Sequence, residues 1–140
     1  MEIRDLVVRD LVTVGPTHTL AQAAKLMGAK RVGSAIVLTD ESPGILSERD
    51  VLRAVADGVD PKVATVGDYM TWNAIVATSA WDTMEAARTM LEHGFRHLVV
   101  IDGASSSEVG ILSIRDLMAG LLEVTRPDRS GVATAAGEGY

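Results

Sequence analysis

No cysteine occurs in this chain, and aromatic residues make up only 4% of it: two Trp, two Tyr and one Phe. The first absence removes disulfides, thiolate metal ligands and cysteine nucleophiles together, and it suits a reducing cytoplasm. Apolar runs are short. None approaches the roughly 18 residues that a membrane-spanning helix requires, and no charged-then-apolar leader opens the sequence, so a cytoplasmic protein without membrane attachment is the expectation. Basic residues are in deficit as well, with 13 Lys and Arg against 19 Asp and Glu, for a net charge of −6. Nucleic acid and anionic membranes are disfavoured as partners, because counterion release needs clustered Lys and Arg facing the phosphates. Any anionic ligand must be held by a local basic pocket rather than by the overall field. What is present, 47% hydrophobic and 23% charged residues in a chain of 140, is the make-up of one globular domain able to bury a sizeable core.

The most informative positive feature is a repeat. Residues 44 to 50 read Gly-Ile-Leu-Ser-Glu-Arg-Asp, and residues 110 to 116 read Gly-Ile-Leu-Ser-Ile-Arg-Asp, 66 positions later (110 minus 44). That spacing is too long for a solenoid and about right for one small α/β unit written twice. Residues 3 to 7 lie over 66 to 70, and 23 to 27 over 86 to 90, at an offset of 63 (66 minus 3). The register shifts in the stretch from Asp102 to Glu108, where a surface turn tolerates insertion. Neither copy alone buries a good core, so the two are expected to pack together.

Each copy carries the same periodicities. A short β segment (Leu11 to Val14; Ile75 to Ala77) precedes a helix in which Leu20, Ala23, Ala24 and Met27 recur at spacing three and four, matched by Met84 to Leu91. Two strands follow, Ser34 to Leu38 and Gly44 to Leu46, matched by Leu98 to Ile101 and Val109 to Leu112. A second helix closes each copy, Glu48 to about Ala56 and Ile114 to about Leu122. The expected class is α+β, as two β-α-β-β-α repeats related by a pseudo-two-fold axis. Residues 1–58 form the first repeat with its N-terminal segment, 59–65 a linker and 66–125 the second repeat. The Gly-, Ala- and Pro-rich tail 126–140 has little to bury and is expected to be disordered.

Ser47, Arg49 and Asp50, and again Ser113, Arg115 and Asp116, lie where a strand runs into a helix. Such a corner offers free backbone N–H groups and the positive end of a helix dipole. A Ser hydroxyl donates to a phosphate oxygen, Arg forks onto it, and an ionised Asp accepts from two neighbouring hydroxyls, as on a ribose. Ser-x-x-Asp before an apolar run is also a helix capping box that binds nothing. For either copy alone the cap is the stronger reading, and Arg in the same place twice, after Gly-Ile-Leu, shifts the balance toward a ligand.

Taken in order, six stretches carry a family resemblance: Val12 to Leu20, Arg31 to Val37, Gly44 to Asp50, Val66 to Thr71, Gly94 to Val100 and Gly110 to Asp116. Over roughly residues 1 to 122 the chain resembles a pair of CBS (cystathionine beta-synthase) domains, a Bateman module. No single stretch is specific, but their order, spacing and duplication are. The resemblance implies a regulatory module that binds an adenosine-containing ligand such as AMP, ADP, ATP, NAD(H) or S-adenosylmethionine between the copies, and needs no cofactor. It implies two quasi-symmetric sites. In one, Asp116 accepts from the ribose, Ser113 and Arg115 face the phosphate, and Gly15, Val32, Gly33 and Ser34 line the adenine. In the other, Ser47, Arg49 and Asp50 stand opposite Thr78, Phe95, Arg96 and His97. Because Arg96 and His97 match positions that also reach toward phosphates of the Asp116 site, that site is expected to be the tighter for a phosphorylated ligand. Phe95 either stacks on adenine or crowds the second pocket.

Other candidates have plainer explanations. His93 and His97 stand four apart with Gly94 between them and no third ligand in sight, so no metal is expected. His18 is expected to cap or decorate the first helix, Trp72 and Trp81 to pack in a core or dimer contact, and Met27, Met70, Met84 and Met90 to fill core and interface. The helices after the two motifs keep apolar faces (Val51, Leu52, Val55; Leu117, Met118, Leu121, Leu122) that point to a homodimer. Neither Ser47 nor Ser113 has a partnered His in sequence reach, so no enzymatic activity is expected. The expected function is a stand-alone regulatory ligand sensor with an unknown effector protein. The alternative is a ligand-free module that dimerises or docks on a partner, and an enzyme acting on nucleotides ranks below both.

Overall fold

The computed structural model describes residues 1–103 and 108–122. The stretch 126–140 and the end of the second repeat therefore lie outside the described residues. Each copy forms one three-stranded sheet with helices packed on it, as the periodicities predict. In the first copy β1 (Thr13–Val14) runs parallel to β2 (Ser34–Val37), which pairs antiparallel with β3 (Gly44–Ser47). Two helices complete it, α1 (Leu20–Lys30) and α2 (Glu48–Ala56). After the short helix α3 (Val66–Tyr69), the second copy repeats the order with β4 (Val76–Ala77), α4 (Thr83–His93), β5 (His97–Ile101), β6 (Val109–Ser113) and α5 (Ile114–Leu121).

Local chemistry sets the helix limits. Thr19 and Gln22 form a capping box that starts α1, with Gln22 N–H donating to Thr19 Oγ1 at 3.1 Å and Thr19 N–H to Gln22 Oε1 at 2.9 Å. Asp82 starts α4 by accepting from Met84 N–H at 3.0 Å. Both helices end in a left-handed residue, Arg31 (φ 58°) in the first copy and Gly94 (φ 70°) at the matching position in the second.

The apolar residues collect in three clusters. One lies under each sheet, centred on Leu20, Ala23, Met27, Val37 and Leu46 in the first copy and on Ala86, Met90, Leu98, Val100 and Leu112 in the second. A third joins the two sheets through Ile36, Val99, Val109 and Ile111. Ile36 and Val99 are equivalent residues of the two central strands, each about 1% exposed. Burial of such side chains contributes about 1.5–3 kcal/mol each.

The copies also exchange their leading segments. Ile3 and Leu6, contiguous in sequence with the first copy, are buried in the core of the second, whereas Val66 and Met70 are buried in the core of the first. Backbone bonds hold the exchange in symmetric pairs. Val8 and Ile111 bond each other in both directions at 2.9 Å, and Thr71 and Ile45 do the same at 2.9 and 3.1 Å. Ile3 N–H donates to Trp81 O at 2.9 Å, just as Val66 N–H donates to His18 O at 2.8 Å. The stretch after Gly58 is docked rather than free, since Ala64 O accepts from Leu20 N–H at 3.0 Å and Pro61 O from Ala21 N–H at 2.8 Å.

The recurring glycine of Gly-Ile-Leu-Ser serves this exchange. A Cβ on Gly44 would collide with Met70 and stand 2.6 Å from Thr71 O, and one on Gly110 would collide with Val7 and stand 3.1 Å from Val8 O. Glycine is required because the exchanged backbone crosses there. The duplicated glycine is therefore a packing signal, and its recurrence does not itself speak for a ligand.

Replacing Gly110 by Val is expected to destabilise the chain by about 1–3 kcal/mol through overpacking against Val7 and Val8. Gly28→Ala, on an exposed face of α1 with open space around it, is expected to stabilise by about 0.5–1 kcal/mol. Urea denaturation of both variants tests the contrast, and a Gly110→Val midpoint equal to wild type would remove the crossing argument.

Candidate functional site

Between the two sheets, on the side of α5, the structure leaves a small cleft that is partly open to solvent. The first copy contributes Asp10, Leu11, Val12, Val32, Gly33 and Ser34, the second His97, Ile111, Ser113 and Asp116, and the exchanged segment Val8. Five of these, Val8, Asp10, Leu11, Val12 and Ile111, were not singled out from the sequence. The repeat alignment alone does not reveal them, because they reach the cleft through the segment exchange and the face-to-face packing of the sheets.

Ser113 and Asp116 sit at the corner between β6 and α5, 9% and 4% exposed. They form a full capping box. Asp116 Oδ2 accepts from Ser113 Oγ at 2.7 Å and from Ser113 N–H at 3.3 Å, and Asp116 N–H donates to Ser113 Oγ at 3.0 Å. Capping and lining the cleft coexist in the same pair, so the two sequence readings of Ser-x-x-Asp are not exclusive here. Gly33 is tightly flanked, since a Cβ would stand 3.0 Å from a Glu48 carboxylate oxygen and 3.3 Å from His97 Nε2, so those side chains would have to shift by a few tenths of an ångström to admit one.

Other expected residues lie elsewhere. Gly15 packs near His18, whose Nδ1 accepts from Gly15 N–H at 2.9 Å, so His18 closes the turn before α1. Arg96 and Arg115 are exposed, and neither lines the cleft. Thr78 is exposed at the end of β4. Phe95 packs against the core of the second copy and beside the His93 ring, with centroids 5.5 Å apart. His93 Nδ1 lies 3.0 Å from Thr89 O, and among the described residues no group of three or more His, Asp or Glu is placed to hold a metal ion.

The counterpart corner, at Ser47 and Asp50, has the same cap but a different outer face. Ser47 N–H and Oγ donate to Asp50 Oδ2 at 2.8 and 3.1 Å. The other oxygen, Oδ1, pairs with Arg53 at 3.2 Å. Arg49 donates instead to Gly94 O at 3.1 Å, across the two copies.

Beside the cleft, a polar network ties the exchanged segment to the second copy. Arg9 donates to Asp102 Oδ2 and Glu108 O, both at 2.7 Å, and to Ser79 Oγ at 3.2 Å. The fully buried Ser79 donates its N–H to Asp102 Oδ1 at 2.8 Å and its hydroxyl to Asp102 Oδ2. These bonds from Ser79, with the Arg9 guanidinium behind them and burial opposing, hold the Asp102 carboxyl down to about 2.

A two-sheet pair with exchanged segments and a cleft between the copies defines one duplicated module rather than two linked domains. The family model of the CBS domain matches residues 3–57 and again 66–123, and the chain belongs to that family. It is 33% identical over 126 residues to an uncharacterized 17.7 kDa protein of Acidianus ambivalens, covering 88% of this chain and 74% of that one. It is 31% identical over 118 residues to an uncharacterized protein of Methanocaldococcus jannaschii, covering 83% of this chain. The chain spans only 41% of that relative's length. Among solved structures, a CBS domain protein from Pyrobaculum aerophilum complexed with AMP superposes with a TM-score of 0.72 at 30% identity, over 89% of this chain and 98% of that one.

The Asp102 carboxyl, depressed in the folded chain, stabilises the fold fully above its unfolded value of 3.8, and that contribution is lost as pH falls through about 2. Asp102→Asn is therefore expected to lower the thermal midpoint at neutral pH by the equivalent of about 1 kcal/mol. The gap to wild type should narrow as pH drops through that window. Calorimetry against pH tests this, and a gap that is constant or widens in acid would contradict the assignment.

Proposed function

We propose that this protein is a regulatory CBS pair that binds one adenosine-containing ligand in the Asp116 cleft and passes its occupancy to a partner protein. The observation that carries the reading is the cleft itself, open between the copies with a Ser-Asp corner at its wall. The AMP complex of the Pyrobaculum aerophilum relative supports an adenosine ligand. On this reading Asp116, in the cleft wall, accepts from a ribose hydroxyl, and the apolar Leu11, Val12, Val32 and Ile111 form a wall for the base.

Charge narrows the ligand. Among the described residues the cleft lining holds two carboxylates, Asp10 and Asp116, and one His, with neither Lys nor Arg. Lys30 is paired to Asp10 at 2.5 Å. A di- or triphosphate would face carboxylates without a lining guanidinium to fork onto it. AMP and the cationic S-adenosylmethionine fit this lining better than ATP or NAD(H).

The transmission route follows from the exchanged segment. Val8 and Asp10 touch the cleft, and Arg9 between them is anchored at Asp102 and Ser79. A ligand that binds two arrangements of this segment with different affinity shifts their populations, which is all a sensor requires. The exposed apolar side chains of α2 and α5, Leu52 and Val55 with their counterparts Met118 and Leu121, support a homodimer through that face. They equally serve the second reading, a docking module that works without a ligand. No bond-making chemistry is assigned.

Titration calorimetry with AMP, ATP, NADH and S-adenosylmethionine separates the readings. Heat is expected with AMP or S-adenosylmethionine, and Asp116→Ala is expected to weaken it at least about tenfold, or 1.4 kcal/mol. Loss of the cap in that variant costs about 0.5–2 kcal/mol of stability, so its folding is checked by circular dichroism. Absence of heat from all four compounds would leave the docking reading in its place.

A further inference from the structure

Resting on the ligand reading above, we propose that Lys30 and Arg31, at the end of α1, form a basic rim that takes the phosphate of a nucleoside monophosphate bound in the Asp116 cleft. Among the described residues the cleft wall holds neither Lys nor Arg, so the counter-charge for a phosphate has to come from its edge. Val32, Gly33 and Ser34 line the wall, and Lys30 and Arg31 immediately precede them in the chain. Lys30 Nζ already reaches a lining residue, 2.5 Å from Asp10 Oδ1.

Arg31 carries the stronger argument. It closes α1 in the left-handed conformation, φ 58° and ψ 44°, where the matching residue of the second copy is Gly94 at φ 70° and ψ 24°. A side chain is strained in that region and glycine is not. The fold makes no use of the arginine that would offset the strain. Its backbone N–H closes the helix on Gly28 O and Met27 O, as that of any residue would, and among the described residues its exposed guanidinium has neither a hydrogen bond nor an ion pair. A cation in the last turn suits the helix dipole, but Lys30 already supplies one, and α4 ends on His93 followed by glycine. Strain kept without a structural return points to function. Here it sets a group that forks onto phosphate beside a cleft that has none in its wall.

The Lys30–Asp10 pair acts with it. Its side chains are 37% and 84% exposed, so the pair adds little to stability and exchanges readily. A phosphate monoester carries roughly 1.5 to 2 negative charges near neutral pH, more than the one carboxylate it displaces from Lys30. The rim is therefore specificity-determining. It favours AMP over neutral adenosine, and over the cationic S-adenosylmethionine, which would meet Lys30 and Arg31 with like charge.

The ratio of AMP to adenosine affinity isolates the rim from the rest of the site. In calorimetric titrations of the full chain, AMP is expected to bind at least about tenfold more tightly than adenosine, with the gap shrinking as salt is raised. Arg31→Gly is expected to narrow the gap, and the double variant Lys30→Met, Arg31→Gly to bring AMP within about twofold of adenosine. The thermal midpoint of Arg31→Gly is expected to rise as the strain is relieved, which separates lost binding from lost folding. AMP no tighter than adenosine on wild type, a preference that survives the double variant, or S-adenosylmethionine tighter than AMP would each overturn the inference while leaving an adenosine-containing ligand in the cleft. No heat from any of the three compounds on wild type overturns the ligand reading and this inference together.

Discussion

The structure depends on a backbone contact that neither copy can make alone. Val8 bonds to Ile111, and Thr71 to Ile45, each from a segment that belongs in sequence to one copy and in packing to the other. These bonds form only because Gly110 and Gly44 present no side chain at the crossing. The exchange places Ile3 and Val66, both fully buried, in the opposite cores. Each core is therefore incomplete until its neighbour has folded, and the two sheets meet through Ile36, Val99, Val109 and Ile111 as one cooperative unit. A cleft walled by both copies is a consequence of that geometry.

The backbone is close to two-fold symmetric, and the side chains are not. Arg9, Ser79 and Asp102 anchor the first exchanged segment by charge, and their counterparts in the other repeat are Trp72, Pro16 and Thr39. Trp72 fastens its segment differently, through Nε1 to Gly67 O at 3.1 Å. Arg53 sits where Ala119 sits in the second copy. Duplication supplied two corners with identical caps, and divergence of the residues around them decides what each corner does. The caps themselves satisfy the helix N-termini in both copies, whatever the state of the cleft.

Much of the fold was legible in the sequence for a physical reason. The spacing of Leu20, Ala23 and Met27 and the short apolar run from Ser34 to Leu38 are local patterns, and the helix and strand they predict appear within a residue or two. The strand expected at Leu11 to Val14 is shorter in its paired part, Thr13–Val14. Leu11 and Val12 turn toward the sheet interface and the cleft wall, a destination no local pattern encodes. Trp81 packs on a core as expected, whereas Trp72 stays half exposed and Met84 lies on the outside of α4. Helical periodicity gave the helix containing Met84 but not which face the second sheet would cover.

The sequence by itself determined the duplication, the α+β elements and the two Ser-x-x-Asp corners, because repeats, periodicities and caps are short-range properties of the chain. Tertiary structure alone decided which copy each leading segment packs on, why the glycine recurs, and that Arg96 and Arg115 stay outside the cleft while Val8 and Asp10 enter it. Those outcomes depend on which residues far apart in sequence share space.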